Sequence, residues 1–441
     1  MIREIERKQC LENSFPFASV KGKLGFEESG YVEEEYFFKG TADVYEETGL
    51  HEKKTIHINN PYVNRMLLRR PENMEKFSGD IVVEILNATA GFDIDRMWVL
   101  CGTQLMRSGA VYVGITSKPD MLDSLRLFDS DRYQELNWDI SYKREKTYYE
   151  SADKLVRPKH EDRETGLFWD MLRDMAKILK EDDRLLSTGK KRYLYLAGWS
   201  QSANYMSTYI RYFHEQDQIF DGYLSAGNIH NFVTPLHQGG IGKPMDPSLT
   251  MIDRINVPYI AVQTESENAD FGGYECRQED SDGPERKYRI YELAGATHDT
   301  KFTLLDYYDK DEKMRTAGLT PQYGGDGLEP NDYPSQYLMR GICKYLFDWV
   351  RKGILPPDAE RIQTDEKGKN IKDKYGNVVG GVRLPLLDVP VCTYFPSSIV
   401  SMEAGNKMVN PLFGHVEFFT EEKLKELYGS LDEYRKKFES G

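Results

Sequence analysis

The sequence predicts an α/β fold in which a mostly parallel sheet is covered by helices on both faces. The first observation is a series of short apolar runs typical of buried strands. They lie at residues 79–86, 111–116, 193–197, 222–226, 258–264 and 288–293. The second observation is that segments with helical periodicity or irregular composition separate these runs. Strands that alternate with helices favour a parallel sheet, because parallel neighbours need crossover connections.

The chain before the first buried run predicts strands of a different kind. Residues 31–45 have the pattern of an edge strand or hairpin, and residues 62–70 form another strand that Pro71 and Asn73 end. Helices are predicted at about 95–108, 163–180, 203–214, 335–352 and 421–438. The helix at 163–180 has the most regular apolar stripe, formed by Leu167, Phe168, Met171, Leu172, Met175, Ile178 and Leu179.

Three stretches without periodicity predict insertions in a single domain that spans residues 1–441. They lie at about 120–160, 227–250 and 300–334, and we expect them to form a cap over the sheet. A C-terminal extension follows at about 358–441. The glycine-rich residues 364–383 predict a β-hairpin within this extension.

Composition and charge exclude several classes of function. The 441-residue chain has a net charge of −14 at pH 7, which disfavours nucleic acid and anionic membranes as partners. No secretory signal precedes the first strand and no apolar run approaches a membrane span. The five cysteines show no metal-binding or disulfide spacing. We therefore expect a cytoplasmic protein, and the sequence leaves its oligomeric state open.

Residues 198–202, which read Gly-Trp-Ser-Gln-Ser, predict a nucleophile elbow. They follow the apolar run at 193–197 and precede a helix, which is the strand–turn–helix layout of the G-x-S-x-G motif. The turn would expose the hydroxyl of Ser200 above the sheet and aim the helix N-terminus at a developing oxyanion. Ser202 replaces the second glycine, and its small side chain still permits close packing of strand and helix.

A nucleophilic serine needs a histidine as base and a carboxylate that orients the histidine. Along α/β-hydrolase chains the serine comes first, the Asp or Glu second and the His last. His298 lies in a Gly/Ala/Thr loop directly after the strand at 288–293, where the base is expected. Three carboxylates after the strand at 258–264 compete as the acid. Glu267 is ranked first and Glu265 second, with Asp270 as the third choice.

The oxyanion hole requires a second backbone N–H from the loop after an early buried strand. The loop at 87–91 is small and polar, as this role requires. The N–H of Ala88 or Thr89 would act with that of Gln201, while Asn87 could instead brace the loop.

The sequence resembles a large, mostly uncharacterised bacterial family of α/β-hydrolase-domain proteins whose elbow reads G-x-S-Q-S. The similarity covers about residues 30–435. It extends beyond the elbow to Arg69-Arg70-Pro71, Phe77, Gly79, Val83 to Asn87, Val113-Gly114, Arg132-Tyr133, Ala294-Gly295, His298, Trp349, Gly353, Pro356-Pro357, Gly380 to Arg383 and Asp388 to Pro390. The resemblance implies the α/β-hydrolase fold, with Ser200 as nucleophile and His298 as base. The family usually has Asp at the position of Glu267, so the acid departs from the family pattern.

Together the motif and the resemblance predict a serine hydrolase that cleaves a small-molecule carboxylic ester without a metal or organic cofactor. Aromatic residues in the insertions favour a bulky or aromatic substrate. Acyl transfer and amide cleavage are alternatives that use the same triad, and a non-catalytic binding protein on a hydrolase fold is another. A metal site at His230 and His237 is disfavoured, because no recognised ligand spacing supports it.

Overall fold

A computed structural model describes residues 1–142, 160, 162–230, 233–237, 247–308, 311–319, 327–401 and 407–440. Its strands, numbered in chain order, are β1 (Ile2–Lys8), β2 (Tyr31–Glu47), β3 (Lys53–Pro71), β4 (Asp80–Ile85), β5 (Val111–Ile115), β6 (Tyr193–Trp199), β7 (Gly222–Ala226), β8 (Ile255–Thr264), β9 (Ser281–Gly283), β10 (Arg286–Leu293), β11 (Glu329–Pro330), β12 (Cys392–Phe395), β13 (Ser398–Ser401), β14 (Lys407–Asn410) and β15 (His415–Phe418).

Within the described residues, the central sheet has the strand order β1-β2-β3-β5-β4-β6-β7-β8-β10-β9. The six strands from β5 to β10 in this order pair in parallel. The strands outside them, β1 to β3 on one edge and β9 on the other, pair antiparallel. The predicted α/β class with a mostly parallel sheet is therefore confirmed. β6 lies near the centre, so the residues that follow it are presented at the middle of the sheet's carboxyl edge.

The helices of the described residues cover both faces of this sheet. They are α1 (Arg96–Ser108), α2 (Met121–Phe128), α3 (Ser130–Tyr133), α4 (Phe168–Glu181), α5 (Gln201–Tyr209), α6 (Glu215–Asp217), α7 (Glu265–Asp270), α8 (Glu312–Thr316), α9 (Ser335–Lys352), α10 (Pro385–Asp388), α11 (Glu421–Tyr428) and α12 (Leu431–Ser440). One face is covered by α1 and α9, whose Cys101 and Cys343 lie over Tyr195 and Ala197 of β6. The other is covered by α4 and α5.

The aromatic contact between α4 and α5 shows why the periodic stripe at 163–180 is buried. The rings of Trp169 on α4 and Tyr205 on α5 lie 5.4 Å apart between centroids, and both side chains are buried. The apolar positions of α4 recur every three or four residues, so they form one stripe that faces the core. This stripe places α4 beside the helix that follows the elbow.

The structure differs from the predicted elements in two places. β1 was not predicted, because charged residues at most of its positions hide a strand that pairs with β2 at the sheet edge. Residues 120–142 are not irregular surface chain: they include α2 and α3, and Tyr133 and Trp138 are fully buried. The glycine-rich segment does fold back on itself as predicted: residues 362–380 pair antiparallel through isolated bridges, and β13–β14 form a second, regular hairpin after it.

Other segments of the predicted cap lie partly outside the described residues. The structure does not describe residues 143–159, 238–246 and 320–326 of the predicted cap. A cap over the sheet therefore stays a prediction. Among the helices of the described residues, none combines the length and apolar character needed to cross a membrane. All five cysteines lie in the described part of the chain and none is in a disulfide.

Candidate active site

Ser200 occupies the tip of a sharp turn between β6 and α5. Its backbone has φ 60° and ψ −123°, a conformation that residues other than glycine rarely adopt. The turn is held because the N–H of Ser200 donates to the carbonyl of Ala226 at 2.9 Å. Ser200 also precedes the first turn of α5, whose N–H groups have no acceptor within the helix. The predicted strand–turn–helix elbow is present, with the serine at its strained position.

Gly198 explains how strand and helix approach each other so closely. A Cβ atom at this position would lie 2.7 Å from the carbonyl oxygen of Ser202, which is closer than real Cβ contacts allow. The first glycine of the motif is therefore a steric requirement of the turn. Ser202 is buried and fits where the motif more often has glycine.

His298 lies in the loop after β10 and is bonded to Glu267. Its Nδ1 is 2.5 Å from Oε1 of Glu267, and both side chains are buried. A carboxylate only accepts hydrogen bonds, so the proton of neutral His298 is on Nδ1 and Nε2 is left with a free lone pair. This is the tautomer that a general base requires.

Glu267 is held by the start of its own helix as well as by His298. It is the third residue of α7, and its Oε2 accepts from the N–H of Thr264 at 2.5 Å in a capping box. One carboxylate oxygen thus caps the helix while the other binds the imidazole.

The other two candidate acids do not contact His298. The buried carboxylate of Glu265 forms an ion pair with Lys372 and accepts from the N–H of Gly295 at 3.2 Å. Residues two apart on a helix point to nearly opposite sides, so Glu265 and Glu267 cannot serve the same partner. Asp270 is exposed at the end of α7. Among these three carboxylates, the structure brings only Glu267 to His298.

The loop after β4 is joined to the elbow through Asn87. Its Nδ2 donates to the carbonyl of Trp199 at 2.9 Å, and its Oδ1 accepts from the N–H of Thr89 at 2.8 Å. The Thr89 N–H is therefore engaged by Asn87. Of the two N–H groups predicted from this loop, that of Ala88 remains as the candidate to act with Gln201.

The far end of the same loop is held by a buried carboxylate beneath it. Glu84 on β4 accepts from the N–H groups of Met97 and Trp98, at 2.8 and 3.1 Å, and so caps the start of α1. Burial raises the pKa of Glu84 to about 8, and the nearby charge of Asp95 acts in the same direction. The loop is thus attached to the elbow at Asn87 and to the sheet at its end.

Sequence reasoning missed several residues that surround His298. Arg96, the first residue of α1, forms a buried ion pair with Asp299, which follows His298 directly. The rings of Trp199 and Phe271 each lie 5.6 Å from the imidazole of His298 between centroids. Only Trp199 carries a local signal, because it is the variable residue of the elbow motif. The others are brought to His298 by the packing of separate segments.

His230, one of the two histidines of the disfavoured metal site, forms ordinary hydrogen bonds. His230 is buried, with Nδ1 2.5 Å from the hydroxyl of Thr250 and Nε2 2.9 Å from the amide nitrogen of Gln263. Burial lowers the pKa of His230 to about 4, so it is neutral at physiological pH. In the part of the chain that the structure describes, no three His, Cys, Asp or Glu side chains are grouped to hold a metal ion.

The family comparison agrees with this architecture. A family model described as an alpha/beta hydrolase domain matches residues 6–441, so the chain belongs to this family of hydrolases. The predicted resemblance and fold are confirmed by that match and by the sheet. No match is found among curated proteins.

The solved structures that match this chain are distant in sequence and have low TM-scores. A fungal esterase from Rhizomucor miehei is 10% identical, with 74% of this chain and 85% of that chain covered and a TM-score of 0.37. A ferulic acid esterase from Streptomyces cinnamoneus is 12% identical, with 67% and 85% covered and a TM-score of 0.34. A serine hydrolase homologue from Coxiella burnetii is 11% identical, with 58% and 90% covered and a TM-score of 0.28.

Proposed function

We propose that the protein is a serine hydrolase that cleaves carboxylic esters through an acyl-enzyme on Ser200. The observation that carries the proposal is the strained turn at Ser200 combined with the buried bond between His298 and Glu267. The first supplies an activated position for a nucleophile, and the second supplies a base with the correct tautomer.

In the proposed reaction, His298 Nε2 takes the proton of the Ser200 hydroxyl as Oγ attacks the acyl carbon. The imidazolium is stabilised by Glu267 and then gives this proton to the departing alcohol, which leaves the acyl group on Ser200. A water molecule, deprotonated by His298, then attacks the acyl carbon. The bond between the acyl carbon and Ser200 Oγ breaks, His298 returns the proton to Oγ, and the acid is released. The N–H groups of Gln201 and Ala88 would hold the oxyanion in both steps.

The setting of His298 supports an apolar substrate. Trp199 and Phe271 place aromatic rings beside the base, and Phe271 is only half-buried. We therefore propose that the substrate has a bulky or aromatic group close to the ester bond. A panel of nitrophenyl acetate, hexanoate and benzoate would test this, with kcat/KM expected to rise with the size of the acyl group. A preference for acetate would contradict it.

The deciding experiment is labelling with a fluorophosphonate probe, followed by mass spectrometry of the labelled peptide. We expect a single adduct on Ser200, loss of labelling in Ser200→Ala, and retention in the matched control Ser202→Ala. Ester hydrolysis in Ser200→Ala should fall by roughly 10⁴-fold or more. Folded wild-type protein without an adduct would contradict the proposal and favour a non-catalytic binding protein.

The same assay separates hydrolysis from the other reactions of an acyl-enzyme. With an acceptor alcohol added, free acid as the sole product supports hydrolysis, whereas a new ester in excess of the acid would indicate an acyltransferase. Anilide substrates test amide cleavage, which we expect to be slower than ester cleavage because an amine is a poorer leaving group.

A further inference from the structure

The residues on both sides of Glu267 bind the C-terminal extension. Glu265 forms its ion pair with Lys372, and the amide of Asn268 lies 2.8 Å from that of Asn370. Glu267 itself turns inward to His298. Of these three side chains on one short helix, two therefore contact the extension and the third contacts the proposed catalytic base.

The loop that carries His298 also contacts the extension, through the residues on each side of the histidine. On one side of His298, the hydroxyl of Thr297 accepts from the N–H of Gly414 at 2.9 Å. On the other side, the N–H of Asp299 donates to the carbonyl of Leu412 at 2.9 Å. Gly414 has no room for a side chain, because a Cβ atom would lie 3.0 Å from Thr297 and 2.0 Å from the carbonyl of Phe395.

A single carbonyl group of the extension contacts both α7 and the loop that carries His298. The carbonyl of Pro396 lies 2.7 Å from the hydroxyl of Ser266 and 2.8 Å from the hydroxyl of Thr297. Both hydroxyls are buried and lie 3.1 Å apart. Ser266 Oγ also accepts from the backbone N–H of His298 at 3.0 Å. The residue before Glu267 and the residue before His298 thus share one anchor.

We propose that the C-terminal extension sets the geometry of the His298–Glu267 pair through Ser266 and Thr297, which act as positioning residues. The partners of the pair lie 31 residues apart in sequence. The hydrogen bond between them weakens when either side chain is displaced, so the two backbones need a common reference. The Pro396 carbonyl supplies this reference. Only the kinetic test described below rests on the proposed function.

The alternative is that these hydrogen bonds stabilise the fold without affecting the pair. The two cases differ in what a hydroxyl deletion does to His298. A stabilising role predicts a lower melting temperature with an unchanged His298–Glu267 bond in the protein that remains folded. A positioning role predicts a weakened bond in protein that is still folded.

The main variant is Thr297→Val, which has the same shape and lacks the hydroxyl. Thr297→Ser keeps the hydroxyl and serves as the conservative rescue. Thr393→Val is the matched control, because the Thr393 hydroxyl donates to the carbonyl of Tyr375 at 2.7 Å within the extension and touches neither catalytic loop. Ser266→Ala tests the other hydroxyl, should Thr297→Val fail to fold.

The first readout is the far-downfield proton resonance of His298 Nδ1–H in full-length protein with ¹⁵N-labelled histidine. Its absence in His298→Ala and its change in Glu267→Gln assign it. We expect the resonance to move upfield or to broaden in Thr297→Val and Ser266→Ala, and to remain in Thr297→Ser and Thr393→Val. An unchanged resonance in folded Thr297→Val and Ser266→Ala would overturn the proposal.

The second readout is ester hydrolysis. We expect kcat to fall roughly 10-fold in Thr297→Val with KM nearly unchanged, since misplacement acts on the reacting groups rather than on binding. A fall of the same size in Thr393→Val would indicate a stabilising role and contradict the proposal. If wild-type protein has no esterase activity and no adduct on Ser200, the proposed function fails while the resonance still tests the positioning role.

Discussion

The two halves of the candidate site are built in different ways. The nucleophile half is a continuous piece of chain, with β6, the turn at Ser200 and α5 following one another. The acid–base half joins three separate segments: the start of α7, the loop after β10 and the C-terminal extension. The nucleophile half therefore depends on backbone conformation within a few residues, whereas the acid–base half depends on how distant segments pack.

This contrast predicts different responses to substitution. In the nucleophile half, we expect substitutions that add atoms to lower activity or stability, because a side chain at Gly198 would clash with the backbone. In the acid–base half, we expect substitutions that remove or change polar atoms to lower activity, because each hydrogen bond there requires a particular donor and a particular acceptor. The following substitutions test the contrast.

The largest effect is expected for Glu267→Gln. An amide has one acceptor and one donor, so it cannot accept from both Thr264 N–H and His298 Nδ1–H as the carboxylate does. We expect kcat for ester hydrolysis to fall by about 10³- to 10⁴-fold through loss of the correct tautomer. Steady-state kinetics measures this.

The matched control for that substitution is Glu265→Gln, two residues earlier on the same helix. It makes the same chemical change but faces Lys372, so kcat should stay within about 10-fold of wild type while stability decreases. Equal losses of kcat in the two variants would show that the acid–base half does not depend on which carboxylate faces His298.

Gly198→Ala tests the nucleophile half. The new Cβ atom would meet the Ser202 backbone, so we expect the free energy of unfolding to fall by about 1–3 kcal/mol. Labelling of Ser200 by fluorophosphonate should slow as well. Urea unfolding and labelling rates give the two measurements. Gly341→Ala in α9 is the control, because nothing lies within 4 Å of its added Cβ atom, and it should leave both unchanged or slightly raise stability.

The smallest effect is expected for Asn87→Ala, which removes the link between the oxyanion loop and the elbow. The backbone of both segments remains, so we expect kcat to fall roughly 10-fold with little change in KM. Asn60→Ala, which also loses an amide-to-carbonyl bond, should leave kcat unchanged. A loss of 10³-fold or more would place Asn87 among the oxyanion donors instead.

Much of the fold follows from sequence patterns alone. The predicted helix at 335–352 agrees with α9 at both ends, and the strands around the elbow agree within a few residues. These elements have strong apolar periodicity and clear end signals such as Gly353. β1 lacks such signals, because charged residues occupy most of its positions. α2 has an apolar stripe, but the stripe covers only 8 residues, too few to separate a helix from irregular chain.

For the candidate site, the sequence alone was enough to predict the elbow and the loop that carries His298. Both depend on residues that are neighbours in the chain, so short-range steric rules are enough to predict them. The choice among the three carboxylates and the segment that holds the pair become apparent only in the folded protein. They depend on the helical phase of α7 and on the carbonyl of Pro396, which is 130 residues from Ser266 and 99 from Thr297, and no pattern of nearby residues encodes such contacts.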